Sequence, residues 1–244
     1  MTILSFLQRM GKNNLYYPGC MLKFGMNKEL ENYKEILNLL GIDFVLIKEE
    51  QCCGSPVLNA GYVKDFKDLI KKNYEIFKQR RVYRIITPCP GCYNIFKNEA
   101  KKHFIKWDIE VEHIISVILR ELKKRKQKRE LKKMIVSYHD PCHLGRFCKI
   151  YEEPRELITL LKGEIKEMIH NRENAICCGA GGGMRANFPE IAKEIAKKRV
   201  QEVPKEAEKI LTPCGLCTMN LKTADERVEE LSNWILERIK IGYF

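Results

Sequence analysis

Eleven cysteines stand at positions 20, 52, 53, 89, 92, 142, 148, 177, 178, 214 and 217 of a 244-residue chain. Thiolates are soft ligands suited to zinc and iron-sulfur cores, so the chemistry depends on whether their spacing gathers them. Setting Cys148 aside leaves two sets of five with one grammar: a lone Cys, a Cys-Cys-Gly, then a C-x-x-C. The intervals are 31 and 35 residues in the first set and 34 and 35 in the second. The flanks repeat too, since Thr87-Pro88-Cys89 returns as Thr212-Pro213-Cys214, and Pro18-Gly19-Cys20 as Asp140-Pro141-Cys142. Self-similarity of this kind marks a duplicated unit of about 120 residues.

A structural zinc ion is closed by four tetrahedral ligands, and each set supplies five sulfurs. Polynuclear iron-sulfur centres are held by thiolates, and a fifth can bridge irons or give one iron an unusual environment, which points toward clusters. Zinc in one or both sets stays open as the strongest competitor, because C-x-x-C thiolates accept it readily. Thioredoxin-like dithiol chemistry at Cys89-Pro90-Gly91-Cys92 leaves the other sulfurs unexplained. Cys148 has no counterpart in the first set and reads as an ordinary buried or half-exposed thiol.

Around the second set, Gly179-Ala180-Gly181-Gly182-Gly183-Met184 puts Met184 where the third glycine of a dinucleotide loop belongs. The alternative is that bare backbone approaches cluster and substrate there, with amide N–H groups aimed at sulfur. Gly54, Gly179, Gly181, Gly182 and Gly183 are therefore the candidate cofactor-binding glycines. His139 and His143 bracket Cys142 and are the candidate catalytic residues, able to ligate iron, to donate a proton to a leaving thiolate, or simply to pack. His103, His113 and His170 read as surface or capping residues.

The elements that must position these residues alternate between strand and helix. Leu15–Tyr17, Ile42–Ile47 and Tyr83–Thr87 read as strands of the first unit, and Met134–Tyr138 and Lys209–Leu211 as strands of the second. Helices are predicted from about Asn27, with Leu30, Tyr33, Leu37 and Leu40 on one face and Gly41 as the stop, over Val63–Lys78, from about Tyr93, and after Phe188. The fold class is α/β: two duplicated βαβ, Rossmann-like units, each with its cysteines in loops after strand ends, where open parallel sheets gather ligands. The expected organisation is an N-terminal extension over 1–14, a first unit over 15–133 and a second over 134–244, with Leu122–Lys133 a basic, solvated connection.

Apolar residues at 45% and charged residues at 31% are ordinary for a globular chain and argue against disorder. No apolar run approaches the roughly 18 residues of a membrane span, and Met1–Met10 has no secretory-signal pattern. A cytoplasmic location follows, where thiols stay free for metal or redox chemistry. The formal charge of +12 favours anionic partners. Five-fold sulfur sites favour redox partners over nucleic acid.

The pattern C, CCG, C-x-x-C, twice over, resembles the cysteine-rich CCG-domain family of iron-sulfur oxidoreductases. The likeness runs from Tyr16 to about Lys240 and is densest at Tyr138-His139-Asp140-Pro141-Cys142-His143-Leu144-Gly145-Arg146, Glu153-Pro154-Arg155 and Cys177-Cys178-Gly179-Ala180-Gly181-Gly182-Gly183. These stretches are most similar to the catalytic cysteine-rich subunit of heterodisulfide reductase. The resemblance implies two noncubane 4Fe-4S clusters. One would sit on Cys20, Cys52, Cys53, Cys89 and Cys92, the other on Cys142, Cys177, Cys178, Cys214 and Cys217. Zinc replaces the cluster at one site in some relatives. The implied activity is reduction of a disulfide, or dithiol oxidation, on an anionic thiol or disulfide small molecule. Because the chain has no C-x-x-C-x-x-C-x-x-x-C-P run, electrons are expected from a ferredoxin-like iron-sulfur subunit and a flavoprotein subunit. Ile3, Leu4, Phe6 and Leu7 form a short apolar extension that reads by default as a frayed terminus and alternatively as a docking segment for such a partner. The rival implication is a non-catalytic electron-relay subunit of a flavin-dependent lactate, glycolate or glycerol-3-phosphate dehydrogenase complex.

Overall fold

A computed structural model describes residues 11–244. The segment carrying Ile3, Leu4, Phe6 and Leu7 lies outside the described residues. In the first half, β1 (Asn13–Tyr16) leads into α1 (Gly19–Gly25) and α2 (Asn27–Leu39), and then a short α3 (Ser55–Asn59), α4 (Val63–Gln79), β2 (Val82–Thr87) and α5 (Pro90–Asn94). The half closes with β3 (Glu110–His113) and α6 (Ile114–Leu122). The second half runs β4 (Met134–Tyr138), α7 (Glu152–Leu160), β5 (Gly163–Ile165), α8 (Pro189–Val200), β6 (Lys209–Thr212), α9 (Gly215–Leu221), β7 (Val228–Glu230) and α10 (Leu231–Gly242).

Both sheets are parallel, ordered β1-β2-β3 and β5-β4-β6-β7. The Ile42–Ile47 strand is corrected to a single bridge, Leu15 with Val45. Val45 accepts from the Tyr16 amide at 3.0 Å and donates to the Asn14 carbonyl at 2.8 Å, so it occupies the edge place that β5 holds in the second sheet. Apolar alternation cannot distinguish a full strand from one residue of edge pairing, since both bury the same face. The predicted helix start at Tyr93 moves back to Pro90, whose fixed φ suits the first turn. Met134–Tyr138 and the helix after Phe188 form where expected.

From the central strand of each half the chain crosses to one edge, then back past the centre to the other side. The lone Cys follows the central strand and the C-x-x-C follows its neighbour, so both lie at the carboxyl ends flanking the switch point. The three loops of each set converge for that reason.

Helices of the two halves pack together, α2 against α10 and α6 against α7. Tyr33, Ile36 and Leu37 of α2 join Ile118, Leu122, Trp234, Ile235 and Ile239 in one fully buried cluster that belongs to both halves. Within it, the Tyr33 hydroxyl donates to Glu230 Oε1 at 2.7 Å, and Glu230 Oε2 accepts from the Ser232 amide at 2.7 Å as the N-cap of α10. His113 caps α6 at the equivalent place and, far from lying on the surface, is fully buried. His170 is exposed and paired with Glu202, and His103 packs edge-on to Phe66.

Burial pushes the Glu230 carboxyl up from 4.5 to about 7. A folded-state value above the unfolded one stabilises the fold below pH 4.5, and that contribution is lost as pH rises through about 7. Urea unfolding at pH 5 and pH 8 is therefore expected to show the wild type losing on the order of 3 kcal/mol more than Glu230→Gln across that interval. Equal pH slopes in the two proteins would refute the assignment.

Candidate metal centres

Each set of five thiols forms a connected chain of sulfurs. In the first, Cys20 pairs with Cys52, Cys52 with Cys53, Cys53 with Cys92 and Cys92 with Cys89. In the second the order is the same: Cys142, Cys177, Cys178, Cys217, Cys214. The Cys53 and Cys92 sulfurs are 3.3 Å apart, well beyond the ~2.05 Å of a disulfide. All eleven thiols are free.

The two sites also share a gradient of exposure. Cys53, Cys92, Cys178 and Cys217 are buried, Cys89 and Cys214 half-buried, and Cys52 and Cys177 exposed. Each site thus has a closed floor and one open edge. Hydrogen bonds donated by Cys20 and then Cys53 hold the Cys52 thiol far below its ordinary value, and Cys142 and Cys178 do the same for Cys177. The Cys92 and Cys217 thiols are pushed up, first because they donate to Cys53 and Cys178.

The glycine of each CCG turns the chain just after its two cysteines. Gly54 and Gly179 both take φ +85, and a Cβ would strike Phe66 at 2.7 Å in the first half or the Ala192 carbonyl at 2.9 Å in the second. Their amides donate to Cys52 Sγ and Cys177 Sγ, each at 3.4 Å. Gly181 differs, since a Cβ there meets nothing within 4 Å and its φ is ordinary. Neither strain nor packing in the chain itself demands glycine at that position.

Buried amides that sequence reading missed hold the loops from behind. Asn73 donates to the Cys52 carbonyl at 2.9 Å and accepts from the Gln51 amide at 3.0 Å. Asn220 donates to the Cys178 carbonyl at 2.7 Å and the Ala192 carbonyl at 3.0 Å. The available signal was a polar residue in an apolar stripe, as Asn73 shares the buried face of α4 with Phe66, Ile70 and Phe77. The loop before Cys142 has an ionic brace as well. Both Asp140 oxygens accept from the Arg155 guanidinium at 2.8 Å, and Asp140 Oδ2 also accepts from the Arg172 amide at 2.8 Å.

The two histidines part company. His143 is half-buried with Nδ1 3.5 Å from Cys142 Sγ, and burial lowers its pKa. His139 is buried beneath the second site with Nδ1 3.0 Å from Arg199 Nε, and burial, then Arg199, pushes it down to about 3. One of its ring nitrogens lies within 4.8 Å of both Cys178 Sγ and Cys217 Sγ. Arg146, one turn after Cys142, is exposed and donates to the Ala175 carbonyl at 2.7 Å, which sets a cation between the two loops of the second mouth. At the first mouth Lys23 is paired with Glu50 at 2.8 Å. Cys148 stands apart, half-buried beside Asn94 and Asn98.

The donor set decides what the sites suit. Five thiols per site, two of them lodged in a buried floor and one held low beside an amide donor, suit a thiolate-bound polynuclear cluster.

Comparison with known proteins agrees. The model of the CCG cysteine-rich domain matches twice, over residues 14–97 and 136–222. The chain belongs to this family. One component of the dihydromethanophenazine:CoB–CoM heterodisulfide reductase of Methanosarcina acetivorans is 33% identical over 86% of this chain and 53% of its own length. An uncharacterized iron-sulfur protein of Methanocaldococcus jannaschii is 35% identical over 88% of this chain and 42% of its own. One component of the fumarate reductase (CoM/CoB) of Methanothermobacter marburgensis is 25% identical, over 91% and 45%. The chain thus spans about half the length of the curated relatives it matches. Among the described residues no helix is long and apolar enough to cross a membrane.

Proposed function

We propose that this CCG-family chain is a cytoplasmic iron-sulfur oxidoreductase subunit that reduces a disulfide, or runs the reverse dithiol oxidation, with a noncubane 4Fe-4S cluster in each set of five thiols. The observation that carries the reading is the double convergence of five sulfurs at a switch point, each site closed below and open at Cys52 or Cys177. Relatives named as components of heterodisulfide reductase and fumarate reductase support it.

Cys20, Cys52, Cys53, Cys89 and Cys92 would hold one cluster, and Cys142, Cys177, Cys178, Cys214 and Cys217 the other. Such a group supplies single electrons, so two of them suit a two-electron disulfide couple. The chain's own residues do the rest. Arg146 draws the anionic arm of a thiol or disulfide to the second mouth, and its bond to Ala175 keeps the guanidinium between the loops. Gly181, open above, leaves room for that ligand to lie against bare backbone. His143, beside Cys142 at the rim, holds a proton on its ring within reach of a departing thiolate. The buried floor keeps water from the inner sulfurs. A ferredoxin-like or flavoprotein partner delivers the electrons, and the +12 charge suits an acidic one.

The test is anaerobic quantification of iron, acid-labile sulfide and zinc in the whole chain, followed by turnover of an anionic heterodisulfide with a reduced viologen. Iron and sulfide at both sites together with turnover is the expected result. Zinc without sulfide would overturn the cluster assignment. A full cluster complement without turnover would transfer the chain to the electron-relay role in a hydroxy-acid dehydrogenase complex.

A further inference from the structure

The two sites are built on one plan, but what lies beneath them differs. Aligned on the lone cysteines, Tyr17 in the first half corresponds to His139 in the second. The Tyr17 hydroxyl is already engaged, donating to the Gln51 carbonyl at 2.7 Å. His139 is 1% exposed, and a guanidinium has only donors, so the contact with Arg199 makes Nδ1 the acceptor. A neutral ring then carries its proton on Nε2. That nitrogen is sealed from solvent and has no hydrogen-bond partner among the described residues. A buried N–H without an acceptor is costly, and the ring has a nitrogen within 4.8 Å of the Cys178 and Cys217 sulfurs.

Arg199 is itself 0% exposed. Its Nη1 donates to the His170 carbonyl at 2.8 Å and to Glu202 at 2.6 Å, which leaves Nε on the histidine. On α8 it shares the buried stripe with Ala192 and Ala196. The matching stripe of α4, Phe66, Ile70 and Asn73, has a neutral amide at the corresponding step. A fixed imidazole donor backed by a buried cation is therefore present under the second site, whereas a spent phenol and an amide lie under the first.

We propose that His139, held in one tautomer by Arg199, donates Nε2–H to the sulfur of Cys178 or Cys217 once the second site is loaded, and so makes the second centre the more easily reduced of the two. The inference rests on reading both quintets as iron-sulfur sites. A hydrogen bond to cluster sulfur and a nearby positive charge both favour the form carrying the extra electron. The first electron then comes to rest in the half that carries the open glycine loop and Arg146, and the first centre is left to relay the next.

The test is an EPR-monitored redox titration of the full chain, anaerobically loaded with iron and sulfide, for wild type, His139→Phe, His139→Gln and Tyr17→Phe. His139→Phe is expected to keep its iron while one of two redox waves falls, so that the reduced-to-oxidised ratio at that centre drops about tenfold at fixed potential, about 59 mV for one electron. The other wave stays, His139→Gln restores most of the loss through its side-chain N–H, and Tyr17→Phe moves neither. Unmoved waves in iron-replete His139→Phe, or both waves moving together, would overturn the proposal. Loss of iron from both histidine variants would also overturn it, because a donor is dispensable for assembly where a ligand is not. Wild type that binds no iron and sulfide would sink the functional reading instead.

Discussion

Cys177→Ser is expected to remove about half of the iron and acid-labile sulfide from the anaerobically loaded chain and to loosen the second half while the first keeps its centre. Cys177 is the thiol held lowest in its set, accepting from Cys142, Cys178 and the Gly179 amide at once. A serine hydroxyl is a harder and far less acidic donor, so the substitution removes a ligand without removing much volume. The geometry of the first set runs through none of these atoms. Metal analysis, visible absorbance and hydrogen exchange over 134–244 measure the effect. A full complement of iron in both Cys177→Ser and Cys178→Ser would contradict the assignment of the ligands.

Arg155→Met is expected to cost about 3–5 kcal/mol of stability even in the metal-free chain. The Arg155 and Asp140 side chains are 6% and 2% exposed, and the substitution leaves a buried carboxylate with one backbone donor, the Arg172 amide. At roughly 2–4 °C per kcal/mol for a chain of this size, the melting temperature falls by about 10 °C. Combining it with Asp140→Asn should recover part of the loss, since the unpaired charge is then gone. A single-variant cost below about 1 kcal/mol would mean that the pair behaves like an exposed one and braces nothing.

Much of the framework was legible because it depends on local pattern. The helix beginning at Asn27 buries one face, and the strand Met134–Tyr138 ends in three consecutive buried residues as a central parallel strand does, so apolar spacing and a short apolar run report them directly. The strands Glu110–His113, Gly163–Ile165 and Val228–Glu230 are three or four residues long, too short for any period to register. Ile42–Ile47 carried the pattern yet contributes one bridge, because what pairs with an edge is decided by the neighbouring strand. Asn73, Asn220 and Arg199 were missed for a related reason: periodicity tells that a position is buried, not what it touches.

The ligand set was written in the cysteine spacing. Lone Cys and C-x-x-C each follow a strand, and a parallel sheet delivers consecutive strand ends to one edge, so those six thiols had to gather in two groups, which the two CCG loops then complete. How unlike those groups are could not be read that way. His139 and Arg199 lie 60 residues apart in the chain, and meet only when α8 comes against the loop that follows β4 and both side chains are buried. Covalent order sets which sulfurs can arrive together, whereas the polar groups that meet them beneath the surface depend on packing between distant segments, and a one-dimensional pattern holds no record of it.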